Sequence, residues 1–271
     1  MKRRTMIACG IIALLFVLLI GRLIYFSIFK NGIYKRQVLS QQNYSSETLP
    51  YKRGDILDRD GNTLATSQKM YTLVLEPKNI LRSEEVQKST IDALHKYMKL
   101  DEDKLLKFIK RHKDSYYSVY REELSYSQIA DLKDFIASDK AENVSGIVFN
   151  EKYKRRYPNQ SLASQVIGFV SDGMIGTGGI EQYYNSTLSG VDGRKYKYLN
   201  EELEQDSSIV EPENGKTVVT TIDSNIQKLA EDQLSKFEKK YGSKGSSILV
   251  MNPNNGEIYA MACAPEFDLN S

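Results

Sequence analysis

Few residues in this chain stand at spacings that could do chemistry, and the densest group is a charged block near its front. It reads Arg53-Gly54-Asp55-Ile56-Leu57-Asp58-Arg59-Asp60-Gly61-Asn62-Thr63-Leu64-Ala65. Asp60-Gly61 favours a type I′ hairpin turn, because both residues tolerate positive φ. Two readings of the charges stand at this point. Arg53, Asp58 and Arg59 form a cluster that holds neighbouring segments together, or they decorate a solvated hairpin whose ion pairs contribute about 0–1 kcal/mol each. The run 58–62 also hints at a calcium loop. That loop needs Gly at its sixth position and Glu at its twelfth, and Thr63 and Lys69 stand there instead.

Other candidates are weaker. Gly173, Gly176, Gly178 and Gly179 contain no G-x-G-x-x-G order and no enclosing βαβ unit, so turn glycines ahead of a helix explain them better than a nucleotide site. Tyr153-Lys154-Arg155-Arg156-Tyr157 is basic with flanking aromatics, as a polyanion patch would be, or it is a strand with one charged face. Two histidines, His95 and His112, and two cysteines, Cys9 and Cys263, make no transition-metal constellation and no disulfide framework. No metal or organic cofactor is implied.

Composition bounds the partners. Lys+Arg number 37 against 35 Asp+Glu, a formal charge of +2, which argues against a dedicated nucleic-acid binder. Hydrophobic residues at 41% and charged residues at 27% give a chain most of which can fold. Eighteen tyrosines and no tryptophan read as strand and interface packing rather than a carbohydrate platform.

Lys2, Arg3 and Arg4 precede an apolar run, Met6 to Phe29, whose only charge is Arg22. As a helix it would be about 36 Å long, enough to cross a ~30 Å hydrocarbon core. Arg22 would snorkel toward the far interface beside Tyr25 and Lys30. The leading basic cluster puts the N-terminus in the cytoplasm and the bulk of the chain outside. Large residues continue through Leu23–Phe26, so an uncleaved signal anchor fits better than a cleaved signal peptide. Cys9 lies at the start of this run, where it reads as a buried helix residue rather than a lipoprotein site. Cys263 is placed on the other side of the membrane.

The elements that would position the charged block follow from periodicity. Asn31–Thr48 reads as a polar stem. Tyr71–Leu75, Tyr116–Tyr120, Gly146–Tyr157, Gly193–Leu199 and Thr217–Thr221 read as extended. Ser83–Met98, Asp101–Arg111, Ser127–Ile136, Leu162–Val170, Ile180–Leu188 and Ile222–Tyr241 carry helical spacing, the last with Asp223 as N-cap. Ile248–Met251 and Glu257–Ala262 form a hairpin around Asn255-Gly256. Two strands alone are marginal, and the apolar run Ile248–Met251 calls for more strands beside it. The expected fold class is α+β.

The order of these segments resembles the class B penicillin-binding proteins, the monofunctional transpeptidases of bacterial cell-wall synthesis. The residues that carry the likeness are the block 53–65, then Arg156-Tyr157-Pro158 with Ala163 and Ile167–Val170. They continue with Gly179-Ile180-Glu181, Tyr184-Asn185, Leu188, Gly190 and Gly193. Last come Thr221-Ile222-Asp223, Ile226-Gln227 and Glu231, and Met251-Asn252-Pro253 with Gly256-Glu257-Ile258 and Ala260-Met261-Ala262. Gly168-Phe169-Val170 looks more like the division or spore-cortex branch than the elongation branch.

The resemblance implies three parts. Residues 1–30 are a cytoplasmic tail and transmembrane anchor. Residues 31–210 are an elongated pedestal or dimerisation module, and 211–271 open a truncated transpeptidase domain. It implies interface roles for Arg53, Gly54, Asp58, Arg59, Gly61, Arg156, Gly179 and Glu181. The whole protein would cross-link peptidoglycan by serine attack on D-Ala-D-Ala stem peptides and would bind β-lactams if the full catalytic domain is present. Its partners would be divisome or elongasome membrane proteins, such as a partner glycosyltransferase, and not nucleic acid. The S-x-x-K, S-x-N and K-T-G motifs of that chemistry are read as absent, so no catalytic residue is named and the chain as given is expected to be inactive. The alternative is a non-enzymatic, membrane-anchored scaffold of the division machinery. A sensor domain is disfavoured, for want of a second membrane helix.

Overall fold

The computed structural model describes residues 14–20, 45–199 and 205–271. Most of the apolar run expected to be the anchor lies outside them. Residues 14–20 are helical and exposed, and among the described residues no helix is long and apolar enough to cross a membrane.

The described residues form two compact units, one that includes 45–49, 192–199 and 205–212 and the other 50–191 with 213–271. The smaller unit contains a three-stranded antiparallel sheet, β1 (Ser45–Leu49), β8 (Gly193–Leu199) and β9 (Gln205–Val210), in the order β1-β8-β9. On β8, Tyr196 is buried, 1% exposed, while Arg194, two residues away on the same face, is exposed.

The larger unit is built on one long strand. β3 (Thr63–Leu75) merges the second arm of the predicted hairpin with the predicted strand at Tyr71–Leu75. Its start pairs with β2 (Ile56–Leu57), which in turn pairs in parallel with β10 (Val218–Val219). From Thr66 to Leu75 it pairs with β5 (Ile147–Arg156), and between Tyr71 and Leu75 also with β4 (Ser118–Leu124). Helices α1 (Pro77–Ile80), α2 (Glu84–Met98), α3 (Glu102–Arg111) and α4 (Tyr126–Ile136) belong to the lobe around the far end of this strand. Ser83 and Asp101 accept from the N–H groups of Val86 and Lys104 and so cap α2 and α3. Leu73, Leu75, Leu94, Leu105, Ile109, Ile129 and Leu132, all fully buried, form the core of this lobe.

A second core lies at the near end of β3, from Ile56, Leu64, Ala65, Tyr157, Ala163, Ile167 and Leu188. Around it run α5 (Ser164–Ile167), the small hairpin β6 (Phe169–Ser171) with β7 (Ile175–Thr177), α6 (Gly179–Tyr183) and α7 (Asn185–Leu188). Here the structure corrects two predicted helices. Leu162–Val170 yields only the single turn α5, because Gly168 takes φ +74° and turns the chain into β6. Ile180–Leu188 divides in two at Tyr184. A third core joins α8 (Ser224–Tyr241) to the antiparallel pair β11 (Ser246–Met251) and β12 (Ile258–Ala264), through Ala230, Leu234, Ala260 and Ala262. Asp223 caps α8 as expected, accepting from the N–H groups of Asn225 and Ile226. Leu249 and Met251 on β11 are 57% and 52% exposed, so the outer face of this pair has no cover among the described residues.

Candidate functional site

The block at 53–62 is pinned at both ends, and each pin is built from residues far apart in the chain. At the first, Arg53 and Glu181 are both fully buried. Arg53 Nε donates to Glu181 Oε2 at 2.8 Å. Arg155 Nε donates to the other oxygen, Oε1, at 2.7 Å. Tyr157 Oη donates to Oε1 at 3.3 Å. The rest of the Arg53 fork reaches Asn185 Oδ1 at 2.9 Å, Ser189 Oγ at 2.8 Å, and the carbonyls of Met174 and Glu181. Arg155 Nη1 donates to the Gly54 carbonyl at 2.7 Å and to Ser67 Oγ at 3.2 Å. One carboxylate thus ties together the approach to β2, the end of β5, and α6. Burial, with the nearby Glu181 charge, holds the Tyr157 phenol well above its ordinary range, so it remains a donor.

The geometry corrects one residue of the predicted set. Arg155, not Arg156, reaches Glu181; Arg156 points to the other side of the strand, where it is among the cations acting on Glu123. The signal was available in the strand period. Arg155 shares parity with the buried Tyr157, whereas Arg156 shares it with Lys152 and Lys154. In the basic run 153–157, Lys154 pairs with Glu123 and Arg155 shares Glu181 with Arg53, while Arg156 forms no ion pair among the described residues; Lys152, just before the run, pairs with Glu122.

The second pin is the turn at Asp58. It is not type I′: of its residues only Gly61 has positive φ, +85°. Gly61 N–H closes the turn onto the Asp58 carbonyl at 3.2 Å. The Asp58 carboxylate fills the loop, accepting from the N–H groups of Asp60 and Asn62 at 2.9 and 2.8 Å, and from Asn62 Nδ2 at 2.8 Å. It also accepts from Ser224 Oγ, at the first turn of α8, at 2.6 Å. Burial would raise this carboxyl, but the donors from Ser224, Asn62 and Asp60 outweigh it and hold its pKa at about 2. Arg59 N–H donates to the Ile222 carbonyl at 2.9 Å, and its guanidinium lies 4.5 Å from the centroid of the Tyr259 ring on β12. The turn at Asn255-Gly256 departs from type I′ in the same way, with positive φ at Gly256 alone.

Gly54 sits between the pins, where a Cβ would stand 2.0 Å from the Lys216 carbonyl oxygen. Any side chain there would push the 213–220 segment away from β2. Gly179 begins α6 at φ +49°.

A third link was not singled out as a site by its sequence. Glu231 on α8 accepts from the N–H of Ala163 and from Gln227 Nε2, both at 2.7 Å. Gln227, fully buried, also exchanges hydrogen bonds with the backbone of Met261 on β12. Burial raises the pKa of Glu231, against the lowering effect of the Gln227 and Ala163 donors. These buried amides and carboxylates are already filled by fixed partners, so the arrangement holds segments in place and offers no free nucleophile. Among the described residues no group of His, Cys, Asp and Glu could hold a metal ion.

Comparison with known proteins fixes the family. Residues 48–220, more than half of the 271, match the penicillin-binding protein dimerisation domain. The chain belongs to that family. It is 29% identical over 272 aligned residues to stage V sporulation protein D of Bacillus subtilis, covering 94% of this chain and 40% of that protein. It is 28% identical to the probable peptidoglycan D,D-transpeptidase PenA of Neisseria meningitidis, covering 96% and 44%. With the crystal structure of penicillin-binding protein 2X from Streptococcus thermophilus it shares the fold. The TM-score is 0.70 at 24% identity, over 84% of this chain and 36% of that one. The chain therefore spans less than half the length of these relatives.

One point of the motif reading needs correction. Ser27-Ile28-Phe29-Lys30 does have the S-x-x-K spacing. It falls at the end of the apolar run, outside the described residues. S-x-N and K-T-G do not occur in the 271 residues.

Proposed function

We propose that this chain is the membrane-anchored, extracytoplasmic front part of a class B penicillin-binding protein. In this reading, 31–210 is the pedestal and 211–271 opens a serine D,D-transpeptidase domain that cross-links peptidoglycan stem peptides. The observation that carries the reading is the pinning of α8 to the charged block. Asp58 meets Ser224, Arg59 meets Ile222 and Tyr259, and Glu231 meets Ala163. A catalytic domain that continues from β11 and β12 would be held at a fixed attitude by these bonds. The Arg53–Glu181–Arg155 cluster makes the support beneath them rigid, and in this reading its residues are positioning residues. The names of the relatives, peptidoglycan D,D-transpeptidases among them, support the reaction class. A solved structure of similar fold, from Helicobacter pylori, is a complex of PBP2 with MreC, and a protein partner is the expectation here.

The test is fluorescent-penicillin labelling of native membranes, then capture with an antibody against residues 31–210 and a denaturing gel. A labelled band well above 30.9 kDa supports the reading. An unlabelled band near 30.9 kDa as the only product would overturn it in favour of the scaffold.

A further inference from the structure

In the basic run that the sequence makes conspicuous, 153–157, Lys154 and Arg155 are engaged by Glu123 and Glu181. The exposed cations without partners gather elsewhere, on α3. Lys104, Lys107, Lys110 and Arg111 are all exposed, and none forms an ion pair among the described residues. At 100° per residue they lie on the side of the helix opposite the buried Leu105 and Ile109. The carboxylates of the helix cover them only in part. Glu102 turns to His95 at 3.8 Å and Asp101 caps Lys104 N–H; Asp103, exposed on the same side and four residues before Lys107, is the one carboxylate within the stripe, and it forms no ion pair among the described residues.

The helix dipole does not account for this stripe. Cations in the last turn are favoured by it, but Lys104 is in the first turn, where a cation is disfavoured. Lys104 and Lys107, Lys107 and Lys110, and Lys107 and Arg111 stand three or four apart, and each like-charged pair destabilises the helix by about 0.2–0.5 kcal/mol. The i,i+4 spacing of Asp103 and Lys107 offsets one such pair, and the remainder is a cost that a bound anion would lower. Past the helix end the charge is mixed, with Asp114 exposed beside Lys113. Lys113 is exposed, and Lys78 N–H bonds the Ser115 carbonyl at 3.1 Å, which brings the Lys78 ammonium over the exposed ring of Tyr116 at 4.6 Å.

We propose that this face of α3, with Lys78 and Tyr116 at its end, binds a polyanionic polymer bearing repeated phosphate groups. Lys104 to Arg111 spans about 10 Å of helix axis, long enough to meet successive anionic groups of an extended chain. Arg111 can hold a phosphate by two parallel bonds, and tyrosine rings offer flat polar contacts to the units between. The face carries no exposed Leu, Ile, Phe or Met to wedge into acyl chains, which favours a polymer over a bilayer. That the natural ligand is a wall polymer rests on the extracytoplasmic reading above; the binding itself does not.

The test uses the full chain in detergent, with fluorescently labelled inorganic polyphosphate read by anisotropy. Four displaced counterions predict that affinity falls about 50-fold between 50 and 200 mM salt. Lys107→Glu with Arg111→Glu should weaken binding at least tenfold. Lys152→Ala with Lys154→Ala, removing cations already paired, should leave it within twofold. No binding at low salt overturns the proposal, as does equal loss in both variants. Tighter binding to phosphatidylglycerol vesicles than to polyphosphate overturns it in favour of a lipid surface. A topology reporter fused to the C-terminus separately decides which side of the membrane the face occupies. Binding with a cytoplasmic location would refute the functional reading and leave the site standing.

Discussion

Replacing Glu181 by Gln should cost this protein about 3–5 kcal/mol, and a second ion pair of the same length shows why. Arg53–Glu181 and Lys69–Glu151 both measure 2.8 Å. The first pair is wholly buried; the side chains of the second are 43% and 31% exposed. Water screens the second pair, which is worth under about 1 kcal/mol. In the first, loss of the carboxylate charge leaves two guanidiniums, Arg53 and Arg155, facing each other without water. Breaking a buried pair from one side costs about 3–5 kcal/mol. The amide also turns a donor toward one of two Nε–H groups that are themselves donors. For a domain of this size the loss lowers Tm by about 6–20 °C. Urea unfolding followed by far-UV circular dichroism, with Glu151→Gln as the control, measures the difference. If Glu181→Gln loses no more than the control, the carboxylate is not desolvated in solution and the buried positioning cluster is wrong.

Other outcomes follow from the same contacts. Asp58 has a folded pKa of about 2, below its unfolded value, so its contribution of up to about 2 kcal/mol is present at neutral pH and is lost as pH falls from about 5 toward 2; Asp58→Asn should flatten that acid limb in pH-dependent melting. Glu231 has the opposite sign: its folded pKa is raised, so the ionised form penalises the fold as pH rises through it, and Glu231→Gln should become relatively more stabilising between mildly acidic and neutral pH in the same melts. Gly54→Ala places a Cβ at 2.0 Å from Lys216 O and should destabilise by about 2 kcal/mol or more, with faster amide exchange at Val218 and Thr220, whose N–H groups bond Asp55 and Leu57. Arg156→Ala, outside the buried cluster, should change stability by less than about 0.5 kcal/mol, while Arg155→Ala should approach the Glu181→Gln loss.

Much of this fold could be read from period and punctuation. The cap at Asp223, the helical spans beginning at Ser83 and Asp101, the apolar faces of α3 and α4, and both hairpins follow from local chemistry. The pairing of Arg53 with Glu181 did not follow from spacing, because 128 residues separate them; only the resemblance put them in one set. Arg156 stands in the Arg-Tyr-Pro motif, but strand parity with the buried Tyr157 selects Arg155, one position earlier. The Asp58 turn was misread because Asp60-Gly61 suggests its own hairpin, whereas the carboxylate two residues earlier supplies the closing bonds. β1 and β9 were passed over because neither Ser45–Leu49 nor Gln205–Val210 alternates strongly; each is defined by the ladder it forms with β8.

The length of β3 limits how the larger unit can move. Thirteen residues make a strand about 43 Å long, with one end in the core around Ile56 and the other in the core around Leu73. Along 66–75 it is bonded to β5, and along its last stretch to strands on both edges. A strand bonded along its length resists bending, so β3 couples the two cores. The strand acts as a beam: a load placed on the lobe at α3 reaches the Arg53 end as a tilt of the whole unit, and the two ends should melt together.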